Sequence, residues 1–177
     1  MTHFFSMKKL ATGLTLVLLV LLFPYAVTSQ TRSLTYRDSN YVLDLPSAKW
    51  RAISLYGVAQ DSTEFRYGDQ GLIQMRIRRQ LVDAGVLPTD LLVHQQSSDR
   101  VFLRGYVKGQ QEIFQGRLSG VKYPYEYISG GQPVGGLIYY LQADNRTIYR
   151  IEFIGPPEGL LNIGDQTDFI ARSFRLK

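Results

Sequence analysis

The chain has 177 residues, with 20 Lys or Arg against 15 Asp or Glu, two histidines and no cysteine. The absent cysteines exclude disulfides, thiol nucleophiles and lipid attachment through a thioether, and with so few histidines they leave no zinc ligand set. The formal charge of +5 is modest, so nucleic-acid binding has little support.

Read in order, the chain opens on Lys8-Lys9, then an uncharged run from Leu10 to Phe23, then small residues at Val27 and Ser29. Basic, apolar and small in that order is the pattern of a secretory signal, here residues 1–29, with cleavage before Gln30. The 14-residue apolar run is shorter than the ~20 residues a spanning helix needs. The alternative is an uncleaved anchor stretching from Leu10 to Val27, which would place the protein at a membrane. Cleavage takes Lys8 and Lys9 and no acid, lowering the net charge from +5 to +3. Residues 30–177 then form one domain, long enough for a full core.

Residues 30–37 are polar and read as a lead-in. Tyr41, Leu43 and Leu45 alternate as one face of a strand that stops at Pro46, and Trp50 follows in a turn, placed to plug the end of a core. Ala52 to Ala59 and Thr63 to Tyr67 suggest a strand pair. After the Gly68–Gly71 turn, Ile73, Met75 and Ile77 point inward and Gln74, Arg76 and Arg78 outward. Pro88-Thr89-Asp90 opens a helix that runs to about Arg100. Ile113–Leu118 and Val121–Ile128 form another pair, with Tyr123, Tyr125 and Tyr127 on one face and Pro124 marking an edge or a bulge.

The strongest pattern lies from Gly135 to Gly155. Leu137, Tyr139 and Leu141 alternate with Ile138, Tyr140 and Gln142, and beyond an Asp-Asn turn Tyr149, Ile151 and Phe153 alternate with Ile148, Arg150 and Glu152. This is an antiparallel hairpin with one strongly buried face, and it is expected at the centre of the sheet. Asn145-Arg146-Thr147 has the form of a glycosylation sequon, but a turn explains it. A last helix covers Leu160 to Phe174, secure from Asp165 or Thr167 onward, with Phe169, Ile170 and Phe174 buried. Ser173–Leu176 ends as an extended tail. Hairpin-linked strands with two helices give an α+β domain, an antiparallel β-sheet with helices packed on its faces.

Tyr41-x-Leu-x-Leu-Pro46 followed by Trp50, the Gly-Gly hairpin, and the closing Asp168-Phe-Ile-Ala-Arg-Ser-Phe174 together resemble the PsbP-like family over about residues 34–176. That family includes the extrinsic photosystem II protein and related exported bacterial domains. The resemblance implies an α/β/α sandwich and a role in protein interaction or assembly. No metal or partner-binding residue of the family maps onto this chain.

Catalytic constellations are scarce. With His3 in the leader, His94 is the one histidine of the remaining chain, and nothing near it has the Gly-x-Ser-x-Gly form of a nucleophile elbow. Asp165 and Asp168 at a helix start suit the helix dipole without a metal. The paired glycines flank strands and not a strand-to-helix phosphate loop. No catalytic residue, metal site or cofactor is therefore assigned. What stands out is 12 tyrosines, six of them between Tyr123 and Tyr149, beside outward arginines. Aromatic rings and Arg together are what protein-binding hot spots favour, and Arg76, Arg78, Tyr125 and Tyr127 are the candidate binding residues. The expected function is a non-enzymatic protein-binding or assembly module of the envelope, periplasmic or extracellular, whose partner is another envelope protein. The alternative is an envelope hydrolase with a carboxylate-based cleft.

Overall fold

A computed structural model describes residues 33–53, 62–98 and 102–177, with side chains from 96 to 98 set aside. All of them fall in one compact unit, Thr31–Lys177. The signal segment and its cleavage site lie outside the described residues, as do positions 54–59 of the expected second strand.

Eleven strands and three helices follow one another among the described residues: β1 (Leu34–Arg37), β2 (Tyr41–Leu45), β3 (Trp50–Ile53), β4 (Ser62–Tyr67), β5 (Ile73–Leu81), α1 (Pro88–Ser98), β6 (Val107–Lys108), β7 (Glu112–Gln115), β8 (Ser119–Ser129), β9 (Gln132–Asp144), β10 (Thr147–Gly155), α2 (Pro157–Asn162), α3 (Gly164–Ser173) and β11 (Arg175–Leu176). The main sheet runs β3-β4-β5-β10-β9-β8-β6, with β7 also on β8, and every pairing is antiparallel. The expected hairpin is β9–β10, and it stands at the centre. Residues 34–37 are not a lead-in: β1 pairs with β2, and β11 closes a small second sheet on β2's other side.

Both faces of the central hairpin are buried, not one. On the first face Tyr139, Leu141, Tyr149, Ile151 and Phe153 pack with Phe65, Met75 and Ile77, beneath α2, α3 and the small sheet. On the second, Ile138, Tyr140 and Ile148 pack with Val121, Tyr123 and Tyr125 of β8 and with Leu92 of α1. Period-2 alternation separates the faces but does not say how many are covered, because Tyr reads as apolar or polar.

Local chemistry sets the element ends. Pro88 opens α1, where its missing N–H is no loss, and the Asp90 carboxylate accepts the Leu87 N–H at 3.0 Å. Pro124 removes a ladder donor where β8 changes its outer partner from β7 to β6, and its carbonyl accepts the Gly109 N–H at 2.9 Å. Trp50 is the start of β3 and not a turn residue. It does plug the core, with its ring 4.9 Å from Tyr67 and 5.8 Å from Phe153. The last helical region breaks at Ile163 into α2 and α3. Phe169 is not in the buried stripe: it is 42% exposed, whereas Thr167, Ile170, Ala171 and Phe174 are buried. Those four follow the i, i+3, i+4, i+7 spacing, and Thr167 belongs among them because its hydroxyl donates to the Gly164 carbonyl at 2.8 Å and lies 3.1 Å from the Tyr139 hydroxyl.

Two carboxylates tie the C-terminal segment to the rest. Asp44 on β2 receives Arg175 at 3.0 Å and Thr35 at 2.9 Å, and Asp168 on α3 receives Lys122 at 2.8 Å and Tyr139 at 2.5 Å. Burial opposes both charges but is outweighed, by Arg175 and Thr35 at Asp44 and by Lys122 and Tyr139 at Asp168, so both pKa values lie below the ordinary aspartate value. Depressed carboxylates stabilise the fold above their unfolded pKa of about 3.9 and lose that contribution as pH falls through the lower folded value. The urea midpoint of the wild type should therefore exceed that of Asp44→Asn/Asp168→Asn at neutral pH. The gap should close on acidification below about pH 4. A gap that stays constant with pH would contradict these pairings.

Candidate binding face

Register brings charge to the second face of the sheet in transverse rows. Ile53, Glu64, Arg76, Glu152, Ile138 and Tyr123 are successive neighbours across β3, β4, β5, β10, β9 and β8. To one side runs the row Arg51, Arg66, Gln74, Ile154, Gly136 and Tyr125, and to the other Ser62, Arg78, Arg150, Tyr140 and Val121. Because α1 packs on β8 and β9, the half of this face built from β3, β4 and β5 keeps Arg51, Arg66, Gln74 and Arg78 exposed.

The centre of the face is a charged network. Arg76 Nε donates to Glu64 Oε1 at 2.5 Å. Arg150 Nη2 donates to Glu152 Oε1 at 2.5 Å, and both side chains are largely buried. Glu152 also accepts the Tyr125 hydroxyl at 2.8 Å. Burial disfavours the Arg150 charge, but Glu152, with Tyr140 and Tyr125, outweighs it and raises the guanidinium pKa. Next to it the Tyr140 hydroxyl donates to the buried Gln95 of α1. The Tyr125 ring can lie on β9 because position 136 is glycine: a Cβ there would come within 2.0 Å of the ring. Tyr123, Tyr125 and Tyr127 stack along β8 with centroids 6.4 and 6.1 Å apart.

All four candidate residues thus share the second face, although they form two groups. Arg76 and Arg78 sit on β5 and Tyr125 and Tyr127 on β8, three strands away or about 14 Å. Arg78 is exposed, Arg76 is half-buried in its pair with Glu64, Tyr127 is half-buried and Tyr125 is buried. Glu152 links the groups, since it neighbours Arg76 across the strands and accepts from Tyr125. Arg150 and Glu152 are neighbours of the candidate residues that sequence alone did not single out. Their signal was two opposite charges set within the alternating apolar run of β10.

Elsewhere, an open cleft of about 740 Å³ where α1 meets the hairpin end is lined in part by Asp83, Asp90, His94 and Arg146. Asp90 is engaged at the start of α1, and among the described residues no hydroxyl or thiol lines the cleft. Among the described residues no group of three or more His, Asp or Glu could hold a metal ion, and no helix is long and apolar enough to cross a membrane.

No family model and no curated protein matches the sequence. Solved structures do match. The solution structure of cyanobacterial PsbP from Synechocystis sp. PCC 6803 superimposes with a TM-score of 0.63 at 12% identity, over 88% of this chain and 99% of that one. The Ran-binding protein Mog1p of Saccharomyces cerevisiae superimposes with a TM-score of 0.60 at 10% identity, over 82% of this chain and 96% of that one. At these identities the likeness is one of backbone architecture, and on it the chain shares the PsbP-like fold of these two proteins.

Proposed function

We propose that this chain is an exported, non-enzymatic protein-binding or assembly module of the envelope, and that it binds through the second face of its main sheet. One observation carries the reading: the β3–β5 half of that face is rich in arginine, has no covering α1, and is braced by the buried Arg150–Glu152–Tyr125 network. Arg is among the side chains that protein-binding hot spots favour, and a rigid sheet holds them in place for recognition. A yeast protein of the same fold is named for binding Ran, which supports a binding role for the architecture and says nothing of this partner. Export rests on the basic, apolar and small order of Lys8 to Ser29. The alternative of a carboxylate-based hydrolase finds two acids in the α1 cleft, of which Asp90 is already committed to its helix.

Arg76→Ala/Arg78→Ala tests the reading. Arg78 is exposed, and truncating an exposed side chain costs within about 0.5 kcal/mol. Arg76→Ala leaves the largely buried Glu64 carboxylate without its cation, so the double variant should fold but melt below the wild type, and capture is compared well below both melting temperatures. The double variant should recover markedly less partner in pull-downs from envelope extract. Unchanged capture would leave the face a merely solvated one, and turnover persisting in highly purified protein would overturn the non-enzymatic reading.

A further inference from the structure

The charges of the second face do not cancel, and their arrangement specifies what would. Two arginine pairs stand directly opposite each other across strands, Arg51 with Arg66 and Arg78 with Arg150. Like charges in direct cross-strand register are unfavourable, and this face carries two such pairs. Its two acids do not relieve them all: Glu64 is taken by Arg76, and Glu152 by Arg150 and Tyr125. Arg51 has an exposed partner in Asp69 at 2.7 Å, an ion pair of little strength. Among the described residues, Arg66 and Arg78 are left as exposed cations on either side of the neutralised Glu64–Arg76 pair. Arg66 is also positioned, because its side chain lies against Gly71, where a Cβ would meet the Arg66 Cδ at 3.0 Å and where φ is +60°.

We infer that the partner presents an extended acidic segment of protein to this face, with carboxylates received by Arg66 and Arg78. This rests on the proposed reading of the face as the binding surface, and adds the chemistry of what binds. Arg66 faces Gln74, and Arg78 lies four residues further along the same strand, so the two cations are separated by about 14 Å from strand geometry. An extended chain lying along the strands carries side chains four residues apart at about 13 Å, which matches. Guanidinium forks bind carboxylates in pairs of parallel hydrogen bonds, giving direction as well as charge. A plane of anionic lipid offers no fixed spacing along the strands, so its headgroups match the two separated guanidinium forks less specifically than an extended chain does.

Fluorescence anisotropy with fluorescein-labelled decaglutamate tests the inference on the whole chain. Wild-type protein should bind the peptide, and binding should weaken steeply as salt rises from about 50 to 300 mM. Arg66→Gln/Arg78→Gln should weaken it about tenfold or more with an unchanged circular dichroism spectrum. Arg37→Gln/Arg117→Gln removes the same charge from exposed positions elsewhere and should bind as the wild type does. Absence of wild-type binding, equal loss in both double variants, or binding to phosphatidylglycerol vesicles but not to decaglutamate would each overturn the inference. Partner capture that still depends on Arg76 and Arg78 in those cases would show that the binding-face reading survives while the acidic segment does not.

Discussion

Phe153→Ala is expected to lower the unfolding free energy by about 3–5 kcal/mol, as deletion of a fully buried aromatic ring does in a well-packed core. Phe153 has no exposure and sits mid-strand on β10, between Met75 of β5 and Leu137 of β9. Its ring meets Trp50 edge-on at 5.8 Å and Tyr139 edge-on at 6.0 Å. The rigid main sheet on one side and the helices on the other leave little room for collapse into the vacated volume. Urea denaturation monitored by the Trp50 fluorescence reads the effect. A loss under about 1 kcal/mol would mean that the first face is not the core it is described as.

Glu152→Ala should be comparably damaging for a different reason. It leaves the Arg150 guanidinium buried without its anion, strips the Tyr125 hydroxyl of its acceptor, and adds to a site where Arg150 Nε already lacks a hydrogen-bond partner among the described residues. Breaking a buried ion pair from one side costs about 3–5 kcal/mol, whereas replacing both partners by apolar residues of similar volume is often near neutral. Arg150→Met/Glu152→Leu should therefore recover most of the stability lost by Glu152→Ala. If the double variant were as unstable as the single one, packing and not the stranded charge would be the cause.

The contrast between these two sites shows what was legible in the sequence. Phe153 lay in a clean alternation with Tyr149 and Ile151, and a period of two assigns such residues to one face without further information. The Asp-Asn turn and the glycines at 135 and 155 framed the same hairpin, so the centre of the sheet could be read directly. Glu152 belonged to the other strand parity, and whether that parity meets water or protein depends on α1, a helix that packs Leu92 and the partly buried Leu91 there and whose sequence pattern is thin. Phe169 misled because hydrophobicity was taken over phase, when buried Thr167 satisfies its hydroxyl within the helix and against Tyr139. Strand β1 was obscured by its polar, exposed composition, since only pairing with β2 defines it.

The candidate face was legible only as two separate lists. Outward arginines at 76 and 78 followed from alternation, and so did the tyrosines of β8, but no local pattern states that both lie on one side of an eight-stranded sheet. That information is in the register, as are the Arg51–Arg66 and Arg78–Arg150 juxtapositions. Long-range pairing is set by the whole core and not by neighbours in sequence, which is why the charge pattern emerges only from the folded chain.

The most direct test of the central claim is to map where a captured partner touches the isotope-labelled chain by amide chemical shifts. Perturbations should gather on β4, β5 and β10, at Arg66, Arg76, Arg78 and Glu152, with α2 and α3 unaffected. Perturbations confined to α2 and α3, with β4 and β5 silent, would contradict the claim.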